Sequence, residues 1–119
     1  DNLKLFYFIN GEGATPLDTR SLGDKAKSML FQCRPEALVV AGKMAGHEPD
    51  TSQISTVKEV AGAHTPVFCG TGFCHSNCTS ILSVADGAFV GSSLKKDGIF
   101  ENPIDEKRVE LLMKKVSAV

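Results

Sequence analysis

TPVFCGTG, Thr65 to Gly72, is a short apolar run that stops on a glycine turn. It shows no polar alternation. A strand so composed expects cover on both faces, which is the condition of a parallel sheet. The same figure recurs along the chain. LKLFYFI (Leu3 to Ile9), ALVVAG (Ala37 to Gly42) and DGAFVGSS (Asp86 to Ser93) are apolar runs, each followed by a segment rich in turn formers.

Helical spacing fills the gaps. Leu22, Ala26, Met29, Leu30 and Cys33 recur at i, i+3 and i+4, with Ser21 placed to cap them. RPE, Arg34 to Glu36, breaks that helix. Ile54, Val57 and Ala61 share a second face, capped by Asp50, Thr51 or Ser52 and closed by Gly62. A short helix is predicted from about Ser76 to Leu82. Val109, Leu112, Met113 and Val116 mark the last helix, with Asn102 or Asp105 as its cap.

The order is therefore β-α-β-α-β-α-β-α, a single α/β region over residues 1–119. Two architectures fit it. One is an open doubly wound sheet; the other is half of a (β/α)₈ barrel, whose full length is ~250 residues. In both, the site lies on the loops after the strand C-termini. Those loops are Asn10–Arg20, Gly42–Pro49, Gly70–Asn77 and Gly91–Asn102.

Composition narrows the class of partner. The chain is 42% hydrophobic and 23% charged, with a net charge of −1 and its Lys and Arg dispersed. A nucleic-acid surface would show as a basic stripe, so no nucleic acid is expected. No apolar run approaches the ~20 residues of a membrane helix, so no membrane span is expected. No signal peptide is visible, and a cytoplasmic location is expected, with an organellar address left open. The opening DNLKLFYFIN lacks Met and already lies in an apolar run, which suits an excerpt or a processed form.

CGTGFCHSNC, Cys69 to Cys78, holds three of the four cysteines and one histidine. Zinc sites pair thiolates as C-x₂₋₄-C and add a second pair. The spacing here is Cys69-x₄-Cys74-His75-x₂-Cys78, which holds a C-x₄-C pair but no separate second pair, and so fits no established zinc pattern well. The C-x-x-C of thioredoxin-like redox sites is also missing. A disulfide framework belongs to small, core-poor secreted domains, and this chain is rich in core. The sulfur reads as buried or loop cysteine, with no metal and no cofactor expected.

The glycines around it carry the sharper reading. Gly70-Thr71-Gly72 and Gly91-Ser92-Ser93 follow successive strands. Glycine lets backbone N–H groups approach an anion, and Ser and Thr hydroxyls add donors. In barrels a phosphate commonly sits between the loops after strands 7 and 8. The plainer alternative is that these glycines only turn the chain. Among the polar loop residues, Lys43 and Asp50 after the second strand are the candidates for chemistry. Asp50 has a competing role as a helix cap, and Lys43 as solvated charge.

ADGAFVGSSLKKDGIFENPIDEKRV, Ala85 to Val109, resembles the ending ADGxIVGSxxKxDGxxxNPVDxxRV of the BtpA/SgcQ family. Three earlier stretches agree in order with that family. EALVVAGKMAGHEPD is similar to DALIVTGxxTGxPPD, TPVFCGTGFCHSN to xPVLVGSGVTPEN, and ATPLDTRSL to AxPLxDRSL. The resemblance covers nearly the whole chain, and its C-terminal stretch is the specific part.

That resemblance implies a TIM barrel of the ribulose-phosphate-binding type, in chains about twice this long. This chain would supply strands five to eight, the C-terminal half. Gly70, Thr71, Gly72, Gly91, Ser92 and Ser93 would then line the phosphate-site loops. The cysteines are not family features. Glu12 and Gly13 stand where the family tends to show Lys-His, and Ala41 and Ala45 where it has threonines. Family members are linked to photosystem I biogenesis in cyanobacteria and to sugar-utilisation gene clusters. The implied function is binding of a phosphorylated small molecule, a sugar phosphate or related metabolite, which would be the substrate if the chain is an enzyme. The alternative is a non-catalytic biogenesis or assembly factor. Half a barrel exposes two strand edges, so self-association or a missing N-terminal half is expected.

Overall fold

The computed structural model describes residues 2–119. Strands β1 (Phe6–Asn10), β2 (Ala37–Val40), β3 (Val67–Cys69) and β4 (Gly87–Ala88) alternate with helices α1 (Leu22–Cys33), α2 (Thr51–Ala61), α3 (Cys78–Leu82) and α4 (Glu106–Val116). Every strand pair is parallel, and the spatial order is β1-β2-β3-β4. That order decides between the two architectures. A doubly wound sheet reverses its winding partway across. Here each strand is laid beside the last, which is the arrangement of half a TIM barrel.

Local chemistry sets the helix ends. The Ser21 hydroxyl accepts from the Asp24 N–H at 3.1 Å to start α1, and Arg34 ends it in the left-handed region. Of the three candidate caps for α2, Asp50 fills the place, accepting from the Ser52 N–H at 2.9 Å. Gly62 ends α2 at φ 66°, a conformation glycine adopts without strain. Asp105, not Asn102, caps α4, and Lys114 and Lys115 in its last turn complement the helix dipole.

The two faces of the sheet differ. On one, Ile9, Leu38, Val40, Val67 and Cys69 join Ala26, Ile54, Val57, Ile81 and Leu112 in one buried cluster. All four helices contribute, so they cover the same face. Each Leu, Ile or Val among them, fully buried, stabilises by roughly 1.5–3 kcal/mol. The opposite face carries aromatics. Phe6, Phe68 and Phe89 meet with ring centroids 5.3 to 6.3 Å apart. Gly87 makes room for the Phe68 ring, since a Cβ there would lie 2.5 Å from it.

Several expectations need correction. The first strand begins at Phe6, not Leu3, and Leu3 and Leu5 are exposed. The ladder with β2 starts at Phe6 and Ala37; before it Leu5 is held by Glu36 alone, accepting from its N–H at 3.0 Å and donating to its carboxylate at 2.7 Å. The fourth strand is only Gly87–Ala88, because its partner β3 ends at Cys69. After it come two 3-10 turns, Ser92–Leu94 and Lys96–Gly98, which periodicity did not reveal. The short third helix starts at Cys78 rather than Ser76. Met113 lies off the apolar stripe of α4 and is half exposed.

Candidate functional site

The turn after β3 is built by its neighbours. Gly70 donates its N–H to the Val40 carbonyl at 2.8 Å, the last ladder bond. Gly72 then takes φ 70°, and a Cβ on it would come 2.2 Å from the Glu48 nitrogen. Glycine at 72 is thus required by the loop after β2. Gly91, after β4, is different: an added Cβ would meet nothing within 4 Å. Glycine there leaves open space.

Two hydroxyls of the candidate set fasten loops together. Thr71 Oγ1 accepts from the Gly42 N–H at 2.6 Å and donates to the His47 carbonyl at 2.7 Å. Its single proton is therefore engaged. Ser93 Oγ donates to the Phe73 carbonyl at 2.9 Å. Arg108 donates to the Ser93 carbonyl at 3.2 Å from α4. The Ser92 hydroxyl makes no hydrogen bond among the described residues, and neither do the N–H groups of Gly72, Gly91, Ser92 and Ser93.

Asn77 is a brace that sequence reading missed. Its side-chain oxygen accepts from the Cys74 N–H at 2.9 Å, and its amide nitrogen donates to the Gly72 carbonyl at 2.9 Å and to the Glu48 carboxylate. A sequence signal existed, an Asn just before a helix, but a cap was the only role it suggested. Asn10 was missed as well. Its side chain both donates to the Ala41 carbonyl and accepts from the Ala41 N–H, continuing the β1–β2 ladder where the register slips.

These braced turns wall a cavity of about 700 Å³. All six glycine-loop candidates, Gly70, Thr71, Gly72, Gly91, Ser92 and Ser93, line it, with Glu12, His47, Phe89 and Phe100 around them. Its volume falls among ordinary small-molecule sites. Main-chain N–H groups without partners and one open hydroxyl can bind an anion.

Lys43 and Asp50 lie elsewhere. They line a second cavity, of about 760 Å³, after β2, and His47 borders both. The Ser52 N–H holds the Asp50 carboxyl below the usual carboxylate range, as suits a helix cap. A carboxylate so held is ionised at neutral pH and is a weak base.

The four cysteines are free thiols. Cys69 and Cys78 are buried, and each donates to a nearby carbonyl, Thr71 and His75 respectively. Burial pushes the Cys69 thiol up, so it stays protonated near neutral pH. Cys74 is half buried against the Ser76 hydroxyl at 3.0 Å. Among the described residues, no three His, Cys, Asp or Glu side chains converge as metal ligands. No helix among them is long and apolar enough to cross a membrane.

Comparison with known proteins gives the family. A family model described as the BtpA family matches residues 1–118. The chain is 39% identical over 114 residues to the sgc region protein SgcQ of Escherichia coli, covering 96% of this chain and 42% of the relative. It is 33% identical over 110 residues to an uncharacterised protein of Methanocaldococcus jannaschii, covering 91% of this chain and 36% of the relative. It is 29% identical over 96 residues to the photosystem I biogenesis protein BtpA of a Synechocystis strain, covering 81% of this chain and 33% of the relative. The chain thus spans less than half the length of these relatives.

Proposed function

Because the chain belongs to the BtpA family, we propose that it binds a phosphorylated small molecule, a sugar phosphate or a related metabolite, between the turns after β3 and β4. One observation carries the reading. The N–H groups of Gly72, Gly91, Ser92 and Ser93 have no protein partner among the described residues, and all four residues line one cavity. A phosphate offers several charged acceptors to such donors, and charge-assisted bonds of this kind are the strong ones. The Ser92 hydroxyl adds a further donor. Thr71 and Ser93 contribute through their backbone, since their hydroxyls hold the loops together.

Any chemistry would fall to the residues between the two cavities. His47 borders both, Lys43 lines the second, and Glu12 lines the first. Lys43 and Asp50 line the second cavity, which shares His47 with the first. In that reading Lys43 acts on the substrate, and Asp50 fixes the start of α2.

A thermal-shift series tests the binding. Inorganic phosphate and sugar phosphates should raise the unfolding temperature, more so the tighter they bind. The same sugars without phosphate should not. Equal shifts with both, or none with either, would remove the proposal.

A second reading is a non-catalytic assembly factor. It draws on the name of the Synechocystis relative and on Glu12 and Gly13, which stand where the resemblance implies Lys-His. Phosphate affinity without turnover of any bound ester would favour it.

A further inference from the structure

We propose that Arg108 on α4 is a positioning residue for the turn after β4: its guanidinium, acting through two linked peptide groups, aims and strengthens the Ser92 N–H as an anion donor. This role rests on the ligand reading above and deepens it at the same site. The carbonyls of the turn are filled in succession. The Gly91 carbonyl accepts from the Leu94 N–H at 3.0 Å, the Ser92 carbonyl from the Lys95 N–H at 3.0 Å, and the Leu94 carbonyl from the Asp105 N–H at 2.8 Å. Those three donors are backbone. The Ser93 carbonyl takes a side chain instead, Arg108 Nη1 at 3.2 Å. With the carbonyls occupied, the N–H groups of Gly91, Ser92 and Ser93 are the groups left open among the described residues.

These bonds run in series. A trans peptide points its C=O and its N–H in opposite directions. Arg108 enters the Ser93–Leu94 peptide at its carbonyl, and that peptide leaves by the Leu94 N–H, which donates to the Gly91 carbonyl. The Gly91–Ser92 peptide then ends on the Ser92 N–H, and Ser92 lines the cavity. Hydrogen bonds in a chain polarise one another. A charged donor at one end makes the last N–H more positive, and here the last N–H is one that a ligand can take. Among the described residues the cavity lining includes no Lys or Arg, and Arg108 brings a guanidinium to the back of that lining.

The surroundings hold the guanidinium to that carbonyl. Asp105 caps α4 and Arg108 lies in the first turn of the helix, with the Asp105 carboxylate 4.0 Å from Nε. Asp105 donates to the Leu94 carbonyl and Arg108 to the Ser93 carbonyl, so the start of α4 grips two successive carbonyls. A bridge between Lys95 and Ile104, and the Lys96 N–H on the Pro103 carbonyl at 3.0 Å, fasten the same two segments together. Lys95, in the same loop, is committed to Phe100, donating to its carbonyl and lying 4.9 Å from its ring centroid. The Arg108 contact is one bond and not a two-pronged fork, so a lysine ammonium can take the same place.

The test is an amide proton–nitrogen titration with inorganic phosphate, run on the unaltered chain and on three variants. Arg108→Met keeps the apolar stem and removes donor and charge; Arg108→Lys keeps both. Val116→Ala loosens the far end of α4, where Val116 packs against the core. The unaltered chain should show saturable shifts at Ser92. Arg108→Met should bind about tenfold more weakly, and its Ser92 and Leu94 amide protons should lie upfield before any phosphate is added. Arg108→Lys should bind within about threefold of the unaltered chain. Val116→Ala should unfold at a lower temperature and keep its affinity. If Arg108→Met does not fold, the Arg108 guanidinium signals of the unaltered chain take its place, and should move with phosphate at the Ser92 midpoint. Guanidinium signals that stay still would overturn the proposal. So would an Arg108→Met chain that binds phosphate as tightly as the unaltered one, or a Val116→Ala chain that loses as much affinity as Arg108→Met. Those results leave phosphate binding by the unaltered chain intact, and the ligand reading with it. No shift in the unaltered chain would remove both.

Discussion

Ser93 donates its hydroxyl proton to the Phe73 carbonyl across 2.9 Å, and that bond ties the turn after β4 to the turn after β3. The two turns belong to different βα units. Among the described residues no other hydrogen bond joins the turn Gly70–Asn77 to the turn Gly91–Asn102, so their spacing depends on it. Ser93→Ala should therefore lower stability by about 0.5–1.5 kcal/mol, the usual net worth of such a bond. It should also weaken phosphate binding several-fold. Urea unfolding and titration calorimetry on the same samples would check both.

Gly72 and Gly91 should respond oppositely to alanine. At 72 the methyl would meet the Glu48 backbone at 2.2 Å, in the left-handed region. Gly72→Ala should cost at least about 2 kcal/mol, from strain and overpacking. At 91 the methyl meets nothing. Gly91→Ala should change stability by less than about 0.5 kcal/mol, yet weaken a ligand held there. A stability loss at 91 matching that at 72 would contradict this account.

Thr71→Val removes one hydroxyl and keeps the shape. It leaves the Gly42 N–H and the His47 carbonyl without their partner. The expected loss is about 1–3 kcal/mol. Chemical-shift changes should centre on the loop after β2, at Gly42 and His47, rather than on β4.

Asp86 should give part of the acid sensitivity. Burial pushes its carboxyl up, but the Lys58 ammonium and the Val67 N–H outweigh it and hold the carboxyl below its ordinary value. Its folded value lies under the unfolded one, so the gain is present above about pH 4 and fades as pH falls through the folded value. Asp86→Asn should be less stable than the parent at pH 7, by under about 1 kcal/mol for so exposed a pair. The gap should close on acidification. A gap that stays constant down to pH 2 would show that ionisation is not involved.

Much of the fold is legible because apolar runs and caps are local. VFC and ALVV read as buried strands, and Ser21 and Asp50 read as caps from their place before a helical stripe. The choice between barrel and open sheet is not local. It rests on which strands are neighbours, and β1-β2-β3-β4 order is carried by long-range pairing. Of the site, the glycines announce themselves, and all six residues of the two turns line one cavity. What each hydroxyl does is invisible in sequence. Thr71 and Ser93 read equally well as ligands or as braces until their carbonyl partners, His47 and Phe73, are brought across the fold. Asn77 is hidden for the same reason: its partners Gly72 and Glu48 come from two different loops. The resemblance of Ala85–Val109 to the family ending reached what periodicity could not.

The central claim is an anion held by backbone donors at the two turns. Amide proton–nitrogen spectra during titration with a sugar phosphate test it most directly. The account predicts saturable shifts at Gly72, Gly91, Ser92 and Ser93, larger than anywhere else and absent with the unphosphorylated sugar. Shifts confined to other parts of the chain, or none at concentrations that saturate a sugar-phosphate site, would contradict it.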